Sequence, residues 1–247
     1  MHSNNDKPII EIKGITKNYG SICALKGLDI SIYKNECVGL VGDNGAGKST
    51  LIKILSGILT HDKGTITIDG KEVHLNSYKD SSALGIETIY QDTALVDLMD
   101  VSRNVFLGRE IHGPMGFLNE KKMDRLSMEL LDSIGIKDIT SPRRLIGTLS
   151  GGQKQSVTIA RAVNFKSRIL LLDEPTAALS VKETNFVNNF ITNLKDEGIS
   201  SIYVSHNIFE AYAVVDRFII LSHGSIVGKF NKEETTAQEI QDMILAN

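Results

Sequence analysis

The sequence predicts an α/β protein with a mainly parallel core sheet, an antiparallel β region and an inserted helical lobe. Short apolar runs alternate with helical patterns along most of the 247 residues, a hairpin signal lies in the first third, and the middle is mostly helical. This length suits a single domain, 1–247. We place its core lobe at about 1–91 and 150–247 and its helical lobe at about 92–149.

The first third of the chain is typical of strands. Leu28, Ile30 and Ile32 alternate with polar residues, which predicts a strand with one buried face. The continuous apolar run at 37–41 predicts a central strand, and a glycine-rich turn and a helix at about 50–56 follow it. Asp69-Gly70 then lies between two strand-like runs, which is a strong hairpin signal.

The middle third of the chain is mostly helical, and in the last third strands again alternate with helices. Met123, Leu126 and Leu130 recur at helical spacing, and Gly135 is a plausible end of that helix. The remaining elements are strands at 86–90, 169–173, 201–205 and 218–221, and helices after 152, at about 181–197 and at 236–245.

Composition and charge exclude several classes of function. The net charge of −3 and the lack of a basic tract argue against nucleic-acid binding through phosphate contacts. Cys23 and Cys37 are too few for a disulfide framework, and we expect both to be small buried residues in a reducing compartment. Residues 1–7 are polar, and no apolar run approaches the ~18 residues that cross a bilayer. We therefore expect any membrane role to come through a partner.

The glycine-rich turn fits the pattern G-x-x-x-x-G-K-[ST] between a predicted strand and a predicted helix. Glycines let successive backbone N–H groups turn inward around phosphate oxygens, and the helix N-terminus adds partial positive charge. The lysine reaches the β- and γ-phosphates, and the serine hydroxyl is a Mg²⁺ ligand. The motif consists of Gly42, Asp43, Asn44, Gly45, Ala46, Gly47, Lys48 and Ser49.

A pair of acids follows the apolar run at 169–172. Buried strands seldom end this way without a partner for the charge. We expect Asp173 to hold Mg²⁺, directly or through water, and Glu174 to polarise the attacking water. Two acids after an apolar run are a weak signal by themselves. Together with the phosphate-loop motif they indicate a functional site.

A third motif opens the helix after 149. Ser150 is a natural N-cap, and the following Gly151 and Gly152 make a second helix start that suits an anion. Gln153 completes the five-residue string that begins at Leu149.

With these three motifs in order, the chain resembles the nucleotide-binding domains of ABC transporters, which are P-loop NTPases. The string from Leu149 to Gln153 is that family's signature sequence, and the likeness extends from about residue 9 to 228. By position, Tyr19 resembles the aromatic residue that stacks on adenine, and Gln91 the glutamine that senses Mg²⁺ and the γ-phosphate. His206 resembles the switch histidine.

The resemblance implies ATP and Mg²⁺ as ligands and a division of roles within the site. The expected catalytic residues are Lys48, Glu174 and His206, and the expected metal ligands are Ser49, Gln91 and Asp173. The expected nucleotide contacts are Tyr19, residues 42–49, Thr50, Gln91, Ser150, Gly151, Gly152 and Gln153.

It also implies partners. Each ATP would lie between the phosphate loop of one subunit and Ser150–Gln153 of the other, so the chain would form a homodimer. That dimer would bind an integral membrane permease at the cytoplasmic face of the plasma membrane, and act indirectly with an extracytoplasmic sugar-binding protein.

One position departs from the family pattern. Most members carry an aspartate where this chain has Ser180, which puts the coupling between the two sites in doubt but removes no group needed for phosphoryl transfer. The stretches 85–92, 104–110 and 173–179 resemble importers of simple sugars such as ribose, galactose, xylose and fructose, in which Ser or Thr is familiar at this position. Many of those ATPase subunits are double-length, and this chain is similar to the single-domain fructose-type form.

Three alternatives remain open at the level of sequence. The chain could serve an importer or exporter of another substrate class with the same ATP chemistry. It could be a soluble ABC-type ATPase acting on DNA or ribosomes, which the missing basic tract disfavours. A nucleotide-binding module without catalysis is disfavoured because every motif residue is present.

Overall fold

The computed structural model describes residues 7–90, 94–164, 167–177 and 179–246. They fall into two compact units. The first comprises the described parts of Met1–Thr88, Ser167–Pro175 and Ile191–Asn247, and the second comprises those of Ile89–Lys166 and Thr176–Phe190. The predicted α/β class is confirmed, because the first unit carries the sheets and the second is mainly helical.

The first unit contains an antiparallel sheet, as the hairpin signal predicts. Its strands are β1 (Ile10–Tyr19), β2 (Ile22–Ile32), β4 (Lys63–Ile68) and β5 (Lys71–Val73). They lie in the order β2-β1-β4-β5, and the turn between β4 and β5 is Asp69-Gly70, both with positive φ. The inward side chains of β1, such as Ile10 and Ile12, are fully buried because one face of this sheet packs on the core.

The second sheet is mainly parallel. Its strands are β3 (Cys37–Val41), β6 (Ile86–Ile89), β7 (Ile169–Asp173), β8 (Ser200–Ser205), β9 (Arg217–Ser222) and β10 (Ser225–Asn231). The order is β10-β9-β3-β8-β7-β6, with β3 parallel to β8 and β9, β7 parallel to β8, and β10 antiparallel to β9. Because parallel strands end at one edge, the residues that follow β3, β7 and β8 meet there.

The helices of the first unit join the sheets and flank them. They are α1 (Lys48–Leu55), α2 (Tyr78–Ala83), the last part of α6 (Val181–Asp196), α7 (Ile208–Val214) and α8 (Ala237–Leu245). Leu51, Ile52 and Leu55 of α1 are buried in an apolar cluster that also takes side chains from both sheets. The first turn of α1 is therefore held in place by packing on several sides.

The second unit has its own apolar core. Its helices are α3 (Val101–Val105), α4 (Glu120–Ser133), α5 (Gly151–Asn164) and the first part of α6 (Val181–Asp196). Val157 and Ala160 of α5 are buried with Val101 and Leu131, and Phe186 of α6 packs against the same cluster. The sequence indicates a helical lobe at about 92–149. The second unit also includes α5 and part of α6, because both helices bury apolar side chains in its core.

Details differ from the sequence-based expectations. Helix α1 begins at Lys48 and not at Thr50, because the left-handed Gly47 ends the loop directly before it. The expectation that both cysteines are buried was wrong for Cys23, which is exposed on β2 at the edge of its sheet, whereas Cys37 is buried. Among the described residues, none of the helices combines the length and the apolar character needed to span a bilayer.

Candidate active site

The phosphate-loop motif connects β3 to α1 in the first unit. Gly42, Gly45 and Gly47 have φ values of 146°, 82° and 106°, a region that side chains strongly disfavour. At Gly42 a Cβ would run into the carbonyl oxygen of Leu221, and at Gly47 it would lie 2.8 Å from that of Ala24. Glycine is therefore required at both positions by close backbone approach as well as by φ.

Lys48 is buried beneath this loop. Only 6% of the residue is exposed, and its Nζ donates to the carbonyl oxygens of Gly42 at 2.6 Å and Asp43 at 2.9 Å. Burial lowers the pKa of Lys48, while the nearby carboxylates of Glu174, Asp43 and Asp173 act in the opposite direction. The ammonium is thus directed into the loop, where phosphate oxygens can replace the carbonyl groups as its partners.

The two acids end β7 at the same edge of the sheet. Burial raises the pKa of Asp173, and the Glu174 charge adds to this effect, whereas Lys48 and Lys53 oppose it. Glu174 has a φ of 51° and its N–H donates to the Val204 carbonyl at 3.0 Å. A left-handed conformation at a residue other than glycine costs free energy and is common at functional sites.

His206 follows β8 and contacts the second acid. Its Nδ1 lies 2.8 Å from Glu174 Oε1. The His206 side chain is 62% exposed and that of Glu174 17% exposed, so the pair stands at the mouth of the site with the carboxylate on the inner side. The Asn207 N–H donates to Ser205 Oγ at 2.9 Å, which fixes the turn after β8.

Three other predicted nucleotide contacts, Tyr19, Ser49 and Thr50, lie in the first unit. Ser49 is exposed and Thr50 is half-buried in the first turn of α1. Tyr19 ends β1, and 47% of it is exposed, as a surface for stacking requires. Gln91 lies outside the described residues.

The signature string lies in the second unit, at the start of α5. The Gln153 N–H donates to Ser150 Oγ at 3.2 Å, and the Ser150 N–H donates to Gln153 Oε1 at 3.1 Å. These reciprocal bonds form a capping box, so Ser150 is the N-cap that the sequence predicts. Gln153 Nε2 also donates to Asp138 Oδ2 at 3.0 Å, which anchors the cap to the preceding loop.

The sequence reasoning missed Glu183. Its Oε2 accepts hydrogen bonds from the Ser180 N–H at 2.9 Å and the Ser180 hydroxyl at 2.8 Å, and its Oε1 accepts one from the Gly152 N–H at 3.0 Å. The spacing Ser180-x-x-Glu183 is itself a capping-box pattern and was a readable signal. The contact with Gly152 was not readable, because it joins residues far apart in the chain.

Comparisons with known proteins find a matching family and related sequences of similar length. The family described as "ABC transporter" matches residues 25–177, more than half of the chain. The Xylose/arabinose import ATP-binding protein XylG of Sulfolobus acidocaldarius is 46% identical over 236 residues, covering 96% of this chain and 93% of that protein. The Fructose import ATP-binding protein FrcA of Rhizobium meliloti is 38% identical, covering 94% and 92%.

Other relatives are longer. The Ribose import ATP-binding protein RbsA of Shigella dysenteriae is 40% identical over 242 residues, which cover 98% of this chain but 48% of that protein. This chain therefore spans about half the length of the ribose relative and nearly all of the xylose/arabinose and fructose relatives.

Solved structures show the same fold. A nucleotide-free ATP-binding cassette from an ABC transporter superposes with a TM-score of 0.83 at 24% identity, covering 97% of this chain and 96% of that one. A dimeric bacterial ABC transporter cassette gives a TM-score of 0.76 at 26% identity, covering 90% and 98%. The family match, the relatives and the three motifs together identify this chain as a member of the ABC transporter family.

Proposed function

We propose that this chain is the ATP-binding and ATP-hydrolysing subunit of an ABC importer for a simple sugar. The observation that carries the proposal is the position of Lys48: its buried ammonium lies under the phosphate loop, within electrostatic reach of Asp173 and Glu174. A buried cation, a cradle of backbone N–H groups and two acids at one strand edge suit phosphoryl transfer from ATP to water.

Lys48 and the loop bind the phosphates. Lys48 exchanges its bonds to Gly42 and Asp43 for the β- and γ-phosphate oxygens of ATP. The N-terminus of α1 directs its N–H groups and partial positive charge at the same oxygens. Negative charge that develops on the γ-phosphate is thereby spread over groups that are already in place.

Glu174 and His206 act on the attacking water. The Glu174 carboxylate orients the water and draws its proton, and His206 contacts the γ-phosphate side. Their hydrogen bond holds both side chains ready, since each limits the rotamers of the other. Tyr19 offers an exposed ring on which adenine can stack.

The residues at the strand edge suit Mg²⁺. Asp173 supplies a carboxylate and Ser49 a hydroxyl, which are the hard oxygen donors that Mg²⁺ takes together with phosphates and water. Burial and the Glu174 charge raise the pKa of Asp173, and a divalent cation at this position would offset the cost of keeping the carboxyl ionised. Bound Mg²⁺ neutralises the β- and γ-phosphate charge.

A second copy of the chain completes the site. Each ATP lies between the phosphate loop of one subunit and Ser150–Gln153 of the other, so a monomer binds nucleotide but hydrolyses it poorly. The relatives of similar length are each called an import ATP-binding protein for a sugar, and one related cassette is dimeric. These names support a homodimer acting on a membrane permease at the cytoplasmic face of the membrane, with an extracytoplasmic sugar-binding protein as an indirect partner.

The test is capture of partners from native membranes by tagged Glu174→Gln protein with Mg-ATP. The variant should retain ATP and hold the dimer closed. A matched control is the double variant Lys48→Ala, Glu174→Gln, which should bind ATP much more weakly. ATP-dependent recovery of a polytopic permease together with a sugar-binding protein would support the proposal.

The alternatives give different results in the same experiment. Recovery of a permease with a binding protein for amino acids or metals would support the role as a transport ATPase and reject a sugar as the transported substrate. Recovery of only DNA- or ribosome-associated proteins would reject the role in transport.

A further inference from the structure

A side-chain carboxylate of the same chain accepts a hydrogen bond from a backbone N–H at the start of α5, the helix that begins with the signature string. The Gly152 N–H donates to Glu183 Oε1 at 3.0 Å. A Cβ added at Gly152 would run into that same carboxylate, so Glu183 fills the space directly beside Gly152. Both residues belong to the second unit.

The Ser180 capping box holds Glu183 in this position. The N–H and the hydroxyl of Ser180 both donate to Glu183 Oε2. These two bonds, together with the Gly152 N–H, lower the pKa of Glu183, so it is anionic at neutral pH. An aspartate at position 180, the usual residue in the family, has no hydroxyl to donate and would repel Glu183.

The proposed function brings a second anion to the same N–H group. In the closed dimer of the proposed function, the γ-phosphate of ATP on the partner subunit would approach the N-terminus of α5, where Gly152 lies. One N–H cannot serve a carboxylate and a phosphate together, and two anions at one helix terminus repel each other.

The cavity beside this helix start gives the carboxylate room to withdraw. It measures about 410 Å³, and its lining includes Glu183 itself, Phe186, the cationic side chains Lys137 and Lys182, and the carboxylate of Asp138. A Glu183 side chain that leaves Gly152 can therefore find an ammonium partner at the wall of the same cavity.

We propose that Glu183 is a positioning residue that competes with the partner-bound γ-phosphate for the Gly152 N–H, so that ATP-driven dimer closure requires Glu183 to withdraw. Ser180 sets the strength of this competition through its hydroxyl. The inference rests on the proposed function and adds a residue that tunes the ATP concentration at which the dimer closes.

The test measures ATP-dependent dimerisation of the full chain by analytical ultracentrifugation, in the Glu174→Gln background to prevent hydrolysis. Glu183→Gln keeps the capping box, since glutamine also serves at this position, but removes the charge. Glu239→Gln is the matched control, because Glu239 forms the corresponding capping box with Thr236 on α8, within the first unit. Melting temperatures of both variants report any purely structural loss.

We expect Glu183→Gln to lower the ATP concentration for half-maximal dimer by about two- to fivefold, the range for an anion at a helix terminus. Glu239→Gln should leave it unchanged, and the two variants should melt alike. If Glu183→Gln leaves the half-maximal ATP concentration unchanged or raises it, the inference about Glu183 is wrong. The proposed ATP-dependent dimer would not be affected by that result. No ATP-dependent dimer in the Glu174→Gln reference would overturn the proposed dimeric function and this inference with it.

Discussion

His206 Nδ1 lies 2.8 Å from Glu174 Oε1, so two side chains from neighbouring strands meet at the mouth of the site. Glu174 follows β7 and His206 follows β8, two parallel strands paired in register along their length. The contact aligns a carboxylate that can take a proton with an imidazole that can contact the γ-phosphate. The roles of Glu174 and His206 can be tested by separate substitutions.

Glu174→Gln should keep ATP binding and lose most turnover. The amide cannot accept the proton of the attacking water, and loss of general-base catalysis costs about a hundredfold or more. Steady-state phosphate release and equilibrium binding of labelled ATP measure the two effects. Turnover equal to that of the unsubstituted chain would refute the role of Glu174.

His206→Ala should lower turnover by about tenfold or more, because a hydrogen bond to a charged group is lost. The exposed position of His206 predicts little change in melting temperature. His74→Ala is the control, since His74 is exposed and lies outside the site. Equal phosphate release by the two variants would contradict the assignment of His206.

Lys48→Ala should weaken ATP binding by about tenfold or more, because the charged donor to the phosphates is gone. Lys53→Ala removes an exposed lysine from the same helix and should bind ATP nearly as well as the unsubstituted chain. Isothermal titration with a nonhydrolysable ATP analogue compares the two. Normal affinity in Lys48→Ala would reject the phosphate-loop assignment.

Two loop glycines should differ in their tolerance of alanine. Both have positive φ, but a Cβ at Gly45 meets open space whereas a Cβ at Gly42 runs into the Leu221 carbonyl. Gly45→Ala should cost about 1 kcal/mol of folding free energy for its φ alone. Gly42→Ala should cost about 2 kcal/mol more through the clash. Urea unfolding without nucleotide gives both values, and equal losses would show that the clash is absent.

Asp173→Asn should stabilise the nucleotide-free chain at neutral pH. Burial raises the pKa of Asp173, so ionising this carboxyl costs folding free energy. The cost is absent below the ordinary pKa of 3.8 and develops as pH rises through the higher folded-state pKa. The advantage of the asparagine in melting temperature should therefore grow with pH.

Asp242→Asn, at an exposed position, is the control for this comparison and should change the melting temperature little at any pH. An Asp173→Asn variant that melts lower than the unsubstituted chain at neutral pH would contradict the electrostatic account.

The first unit was largely predictable because its signals are local. The apolar runs at 37–41 and 169–173 are strands with those bounds, and the Asp69-Gly70 turn joins two strands as predicted. By contrast, β10 and α7 were not predicted, since each is only seven residues long and acquires its structure from the neighbours that it packs against.

The sequence by itself determined the family, the phosphate loop and the order of the motifs, because glycine positions, capping residues and apolar periodicity act over a few neighbouring residues. The tertiary structure decided which distant side chains meet. Only the parallel register of β7 and β8 brings His206 to Glu174, and only the packing of α5 with α6 brings Glu183 to the Gly152 N–H. These contacts depend on how the helices and strands pack, which no local pattern encodes.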